Sequence, residues 1–390
     1  PELRERLLDI RTPLVVEDAH GVDEASADVL RFLGRRVAAN DGLVVVTARD
    51  ELAADHPLRL GLHLARLRVA RRARGPSGAA ALYDPPPSGV GPERARVLAG
   101  LAGVEDGDLA GRRELLEFAT QHEPEEALWR LAVADVELAA HDLVVDRAGR
   151  ERQLGDVSGS ADSFLEAARN LERAREEAET ALGLDPGLSE AHLMLGYVAT
   201  RLADLASDVE ARDEWRRGAE GHYRDALGLD PDSVPAMVNL AENLFYFDEF
   251  DQAVRELQAA ARLAPAQPLV WSNLGAAHYR TGRIDLAQSA YRESLALVPG
   301  DARVRAAYAD CVRRAGNLPG AVAELERARR DAGEDRALLA QIAFKLAAIH
   351  EHERRYREAV EEYRRHVELG GPDAAKANSR IRALYEETFD

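Results

Sequence analysis

The chain has 390 residues, 46% of them hydrophobic and 31% charged, which is enough for two ordinary domains or one extended repeat array. Its formal net charge is −18, and no basic stripe could neutralise phosphates, so nucleic-acid partners and anionic membrane surfaces are disfavoured. The single cysteine, Cys311, excludes an intrachain disulfide and is expected to pack inside a helix. No transmembrane run or signal peptide is visible, so a cytoplasmic location is expected.

The first segment, residues 1–71, has the pattern of a small α/β unit. TPLVVEDAH predicts a short apolar strand that ends in two acids, and DGLVVVTARDE predicts a second buried strand. Between them, VDEASADVLRFLGRRVA predicts an amphipathic helix. Strand, helix and strand at these lengths make a βαβ unit, in which the two strands are parallel.

Two stretches of this segment resemble a known class of ATPases. PLVVEDAHGVDEAS is similar to the Walker B strand and following turn of the signal-transduction ATPases with numerous domains, the STAND class. GLVVVTARDELAADHPL resembles a later strand of the same domain. The resemblance implies that Glu17 and Asp18 are Walker B acids, which hold Mg²⁺ and polarise the attacking water. It also implies that Arg49 is the arginine that senses the γ-phosphate.

The phosphate-binding loop of that class, G-x-x-x-x-G-K-[ST], does not occur in the sequence. In STAND proteins it precedes the Walker B strand, and only a short segment precedes Asp18 here. We therefore expect no cofactor and no catalytic residue in this chain, and ATP with Mg²⁺ only in a longer protein that supplies the loop. The chain begins at Pro1 without an initiator Met, so we expect it to be part of such a protein.

We predict that the purified chain does not bind ATP in a calorimetric titration at millimolar ATP. The physical reason is the missing loop, whose backbone N–H groups and lysine would hold the β- and γ-phosphates. Tight binding would contradict this account.

Residues 72–124 are predicted to join the N-terminal segment to the rest of the chain. RARGPSGAAALYDPPPSGVGP, in residues 72–92, is rich in Pro, Gly and Ser and is typical of a linker. Residues 93–123 predict one or two connecting helices.

From residue 125 onwards the sequence repeats a helix-turn-helix pattern. Successive units end in ALGLDP, ALGLDP, AARLAP and SLALVP, and the prolines at 231, 265 and 299 are 34 residues apart. WSNLGAAHYRTGRIDLAQSAYRESLALVP resembles the tetratricopeptide repeat consensus, and the resemblance is specific over 232–333. It implies a mainly α fold, a right-handed solenoid of about six units over 125–372 with a capping helix at 373–390.

The first two units depart from this pattern because each contains a charged insert. Residues 141–164 include DRAGRERQLGDVSGSAD, which predicts an exposed loop or a partly disordered hairpin. The second insert, near 203–215, contains DLASDVEARDEW.

The resemblance implies a concave groove, lined by the first helices of successive units, that receives a peptide or a partner's helix. Its predicted lining is Leu193, Tyr197, Val238, Asn239, Glu242, Phe245, Ser272, Asn273, Tyr279 and Arg280. Chaperone-binding members grip a terminal carboxylate with Lys, Arg and Asn. Asn239 and Asn273 match the Asn positions, but the lysines are absent, so this specialised binding is disfavoured.

Other chemistry has little support in the sequence. His350 and His352 are two residues apart, hence on different faces of a helix, and H-E-x-x-H is absent, so no metal site is expected. The leading hypothesis is an interaction scaffold from the C-terminal part of a bacterial STAND-like signalling protein. The alternatives are an ATP-hydrolysing signalling ATPase in the full-length protein, and a repeat protein with a degenerate N-terminal segment. The sequence leaves the oligomeric state open.

Overall fold

A computed structural model describes residues 14–16, 44–46, 92–104, 108–153 and 155–389, and these are mostly helical. Among these residues, two short strands precede fifteen helices. In chain order they are β1 (Leu14–Val16), β2 (Val44–Val46), α1 (Pro92–Gly103), α2 (Leu109–His122), α3 (Ala127–Gln153), α4 (Val157–Leu184), α5 (Ser189–Leu205), α6 (Val209–Leu229), α7 (Val234–Tyr246), α8 (Phe250–Leu263), α9 (Pro268–Arg280), α10 (Ile284–Leu297), α11 (Ala302–Arg314), α12 (Leu318–Asp331), α13 (Arg336–His352), α14 (Tyr356–Glu368) and α15 (Ala374–Phe389).

The two predicted strands lie side by side and are parallel. Leu14 pairs with Val44 and Val16 pairs with Val46 in a two-stranded sheet. This confirms the parallel pairing that the strand-helix-strand pattern predicts. Glu17, Asp18 and Arg49, the residues implied by the STAND resemblance, lie outside the described residues.

Two helices, α1 and α2, precede the repeat units. They pack on one another and against α3, with Leu98, Leu116 and Trp129 buried at the centre of the cluster. The Trp129 indole Nε1 donates a hydrogen bond to Glu123 Oε2 at 2.6 Å, and Arg94 Nε donates to Glu123 Oε1 at 2.8 Å. The indole N–H of Trp129 and the guanidinium of Arg94 thus have hydrogen-bond partners at the edge of an apolar cluster.

Six consecutive helix pairs follow, from α3–α4 to α13–α14, which confirms the predicted fold class and number of units. Where a unit has a terminal proline, the second helix ends two residues before it, as at Leu263 before Pro265. Proline lacks the N–H group that the helix would need, and the residue before it avoids helical geometry. The turn between first and second helices needs a left-handed residue, and Gly282 and Gly316 supply it with φ of 75° and 87°.

The prediction of a loop over residues 141–164 is wrong. α3 extends to Gln153 and α4 begins at Val157, so the insert lengthens both helices and leaves only a tight turn. Burial of apolar side chains stabilises the added turns of α3, since Ala148 near its end is fully buried. Arg147 Nε donates to Ser163 Oγ at 3.1 Å across the two helices, and the Asp156 side chain accepts from Gly159 N at 2.9 Å and caps α4.

Most of the second insert is also helical. α5 continues to Leu205, and α6 begins at Val209 behind an Asp208 side chain that accepts from Ala211 N at 2.7 Å. The high charge of this stretch follows from exposure of one helical face. Charge alone did not distinguish a solvated helix from a loop.

Small residues allow close approach of the two helices in a pair. A Cβ atom placed on Gly196 would lie 2.5 Å from a ring carbon of Tyr223, and one on Gly275 would lie 2.8 Å from Tyr291. Cys311 is fully buried in α11, as predicted. The last described helix, α15, packs on α14 and buries Ala377 and Leu384.

The chain divides into two compact units, Pro1–Asn243 and Leu244–Asp390. Each contains its own buried clusters, for example the one around Leu171 and Leu195 in the first and the one around Leu325 and Leu346 in the second. Within the part of the chain that the structure describes, no helix has the length and apolar character needed to cross a membrane.

Candidate partner-binding surface

Five of the predicted groove residues belong to the first unit. Leu193 and Tyr197 lie one turn apart on α5 and are half-buried. On α7, Glu242 is exposed, whereas Val238 is only 6% exposed and contributes to the core. Asn239 is half-buried, and its side-chain Nδ2 has no hydrogen-bond partner among the described residues. Tyr197 and Glu242 thus reach the surface of this unit, whereas Asn239 Nδ2 is shielded from solvent.

The other five predicted groove residues belong to the second unit. Phe245 lies at the end of α7, and Ser272, Asn273, Tyr279 and Arg280 lie on α9. Ser272 and Tyr279 are two turns apart and share a face of the helix. The Ser272 hydroxyl donates to the Leu269 carbonyl at 2.9 Å, which leaves its oxygen lone pairs as acceptors.

Arg280 is held in place by contacts within the second unit. Its Nη2 donates to Asp248 Oδ1 at 2.9 Å, and its guanidinium carbon lies 4.2 Å from the centre of the Phe250 ring. Phe250 in turn meets Phe245 edge to face, with ring centres 5.5 Å apart. Arg280 and Phe245 thus belong to an aromatic–arginine cluster beside the turn that joins α7 to α8.

Tyr279 is supported in a similar way from the next repeat. The Arg314 guanidinium lies 5.1 Å from the Tyr279 ring centre, and its Nη1 donates to the Tyr279 carbonyl at 3.4 Å. A cation–π contact at an exposed site is worth roughly 0.5–1 kcal/mol. Arg314 therefore restricts the Tyr279 ring before any partner binds.

Ion pairs between successive repeats recur at nearly the repeat period. Examples are Arg280–Asp248 at 2.9 Å, Arg283–Asp251 at 2.7 Å, Arg303–Asp335 at 2.7 Å and Lys345–Asp310 at 2.7 Å. Most of these side chains are substantially exposed, so each pair contributes about 0–1 kcal/mol. Their effect on this surface is to neutralise cations that would otherwise be available to an acidic partner.

The second unit also has two open depressions that the predicted groove residues do not line. One, of about 560 Å³, lies beside Asp248, Phe250 and Thr281. The other, of about 340 Å³, lies between Tyr308 and Asn317. Asp248 and Phe250 are not among the residues that the sequence predicts for the groove. Asp248 has a φ of 57° and occupies the left-handed turn position. It stands 34 residues before Gly282, so the repeat period identifies it as the turn residue of its own unit.

Comparison with known proteins agrees with the geometry. Two family models described as tetratricopeptide repeat match residues 238–302 and 278–343. The repeats in this part of the chain are therefore tetratricopeptide repeats, and such repeats are generally protein-interaction scaffolds.

The chain spans less than a fifth of the length of the curated relatives it matches. The Hsp70-Hsp90 organizing protein of Triticum aestivum is 31% identical over 101 residues, which is 26% of this chain and 17% of that protein. The general transcriptional corepressor ssn6 of Schizosaccharomyces pombe is 33% identical over 95 residues, 24% of this chain and 8% of that protein. A solved structure of Pseudomonas aeruginosa pilF is 18% identical, with a TM-score of 0.44, and covers 65% of this chain and 99% of its own.

Proposed function

We propose that this chain is a cytoplasmic interaction scaffold that binds a protein or peptide on the first helices of its repeats. The observation that carries the proposal is the tetratricopeptide match over residues 238–302 and 278–343. Helix-pair repeats of this kind bury their apolar faces by stacking on one another, which leaves the other faces of the helices available to a partner.

The chemistry of α9 supports recognition of a peptide. Ser272, Asn273 and Tyr279 place a hydroxyl, an amide and an aromatic ring along one helix, all half-buried. An amide both donates and accepts, so it suits a peptide backbone, whereas a restricted aromatic ring offers contact area at low entropic cost. The Arg314 contact with Tyr279 provides that restriction.

The partner is proposed to bind without a lysine clamp for a terminal carboxylate. One relative is named for organising Hsp70 and Hsp90, and Asn239 and Asn273 stand at equivalent repeat positions here. However, the Lys345 ammonium donates to Asp310 Oδ2 at 2.7 Å and to the Ala306 carbonyl at 3.3 Å. A lysine that is paired in this way is a poor anchor for a second carboxylate.

Replacing Ser272 by Arg tests the proposal, because a long cation on α9 would obstruct the surface. Ser289→Arg is the matched control: it makes the same change in the same helix pair, on α10, at an exposed residue. The wild type and each variant, all comprising residues 1–390, are immobilised and used to capture proteins from the source cells. Mass spectrometry measures the amount of each captured protein. Circular dichroism checks that each variant is folded.

We expect at least one protein to be captured in similar amounts by the wild type and by Ser289→Arg. The captured amount of that protein should fall about tenfold with Ser272→Arg, which corresponds to a loss of roughly 1.4 kcal/mol in binding free energy. A calorimetric titration with that purified protein then gives the affinity. Equal capture by all three folded chains, or loss with Ser289→Arg alone, would exclude α9 as the binding surface.

We further propose that the chain is the C-terminal part of a bacterial STAND-like signalling protein. The parallel pairing of β1 with β2 supports this context. In the alternative, the full-length protein hydrolyses ATP, with Glu17 and Asp18 as Walker B acids and Arg49 as sensor. A phosphate-binding loop encoded upstream of Pro1 would favour the ATPase, and a start codon directly before Pro1 would exclude it.

A further inference from the structure

Three potential metal ligands from two helices meet on the surface of the α5–α6 pair. His192 lies on α5, and His222 and Asp225 lie three residues apart on one face of α6. One nitrogen from each imidazole and one carboxylate oxygen all lie within 4.8 Å of one another. The His192 Nδ1 is 3.7 Å from Asp225 Oδ2, and the two ring centres are 5.8 Å apart.

The two imidazoles have unused nitrogen atoms. Nδ1 of His192 and Nδ1 of His222 are both inaccessible to solvent, and neither has a hydrogen-bond partner among the described residues. A buried polar atom without a partner costs about 1–3 kcal/mol, so two adjacent examples call for a physical explanation. A cation between the rings would satisfy both nitrogens at once.

The equivalent place in another repeat holds an ordinary ion pair. His192 stands four residues before Gly196, and His222 directly precedes Tyr223. In the α11–α12 pair the corresponding residues are Arg305 and Glu324, whose Nη1 and Oε2 atoms are 3.1 Å apart. Two histidines thus stand where that pair has an arginine and a glutamate, and the repeat fold does not by itself require histidine here.

From this geometry we propose that His192, His222 and Asp225 bind a divalent transition metal ion, with Zn²⁺ as the first candidate. Imidazole nitrogens with one carboxylate are a donor set for zinc, nickel or copper, whereas Mg²⁺ and Ca²⁺ prefer oxygen ligands alone. This site revises the expectation of no metal, and it does not depend on the proposed partner-binding function.

The site can reach coordinating geometry with small side-chain movements. Tetrahedral zinc with bonds of about 2.0–2.2 Å places its ligand atoms about 3.3 Å apart. Asp225 is 63% exposed and free to rotate, whereas the His192 side chain is only 16% exposed and is held by packing. The exposed carboxylate side leaves room for water as the fourth ligand.

The surroundings of His222 favour its neutral imidazole. Burial lowers the pKa of His222, and the neighbouring His192 lowers it further, whereas Asp225 and Glu179 act in the opposite direction. The neutral imidazole keeps the lone pair that a metal needs. A bound ion would link α5 to α6, and because it binds only the folded pair it would stabilise that pair against unfolding.

The test is a calorimetric titration of the untagged full chain with Zn²⁺ after removal of metals by a chelator. We expect one tight site per chain, and a melting temperature that rises with Zn²⁺ concentration. Co²⁺ in place of Zn²⁺ should give the visible absorption of a low-symmetry site with nitrogen and oxygen ligands.

Asp225→Asn is the most informative variant, since an exposed residue is replaced without risk to folding. We expect it to weaken Zn²⁺ binding at least about tenfold, and His192→Ala with His222→Ala to remove the tight site. His352→Ala removes an exposed histidine elsewhere and should leave the titration unchanged. The proposal is overturned if the wild type shows no tight site, or if Asp225→Asn and the double variant bind Zn²⁺ as the wild type does.

Discussion

Replacing Trp129 by Ala should lower the free energy of unfolding of the helices α1–α3 by about 3–5 kcal/mol. Trp129 is fully buried, at the centre of the cluster that joins α1 and α2 to α3. Truncation removes its apolar contacts and opens a cavity that the surrounding helices fill only in part. It also removes the indole N–H that donates to Glu123, although Glu123 keeps its contact with Arg94.

Urea denaturation followed by circular dichroism, with hydrogen exchange by mass spectrometry, would measure this loss. Each repeat contacts only its neighbours, so exchange should rise in α1–α4 and change little in α11–α15. Trp215→Ala is the matched control: Trp215 is 36% exposed on α6, and its truncation should cost far less. Equal losses from the two variants would contradict the account of the N-terminal cluster.

The repeat fold could be predicted from the sequence because the residues that define it lie within single repeats. The prolines at 231, 265 and 299 mark helix ends, and the small residues at Gly275 and Ala309 mark close helix contacts. Each signal has a steric cause that acts within one repeat, so it survives without knowledge of the partner helices. Over 232–333 the prediction and the structure therefore agree in element type and order.

The inserts were not predictable from the same signals. Gly155 and Asp156 indicate a turn, but the surrounding charge and small residues resemble those of a loop. What makes α3 and α4 continue is their mutual contact, for example between Arg147 and Ser163, and the burial of Ala148. Such tertiary contacts override local propensity, and no local pattern reports them.

For the candidate surface, repeat positions predicted which residues lie on the first helices of the units. Those positions did not show that Asp248 holds Arg280. His192 and His222 were not predicted as metal ligands because they are 30 residues apart in sequence. A motif search for metal ligands finds short spacings within one helix, whereas this group forms only when α5 and α6 pair.

Gly275→Leu should destabilise the second unit by about 1–3 kcal/mol or more, because the helix contact has no room for a side chain. Even a Cβ atom there would lie 2.8 Å from Tyr291 Cδ1, and the Tyr291 ring is itself buried. The strain falls on α9 and α10, which must separate to accept the new atoms. Gly300→Leu is the control, since Gly300 is exposed and has open space at its Cβ position.

A double-mutant cycle with Tyr291→Ala would test whether this contact is the cause. Removing the ring makes room for the leucine, so the combined loss of stability should be smaller than the sum of the two single losses. For side chains in direct contact, the coupling energy is typically about 0.5–3 kcal/mol. Urea denaturation of the four chains measures it. If the losses simply add, or if Gly275→Leu melts like the wild type, the leucine does not meet Tyr291 and the helix register assigned to this repeat is incorrect.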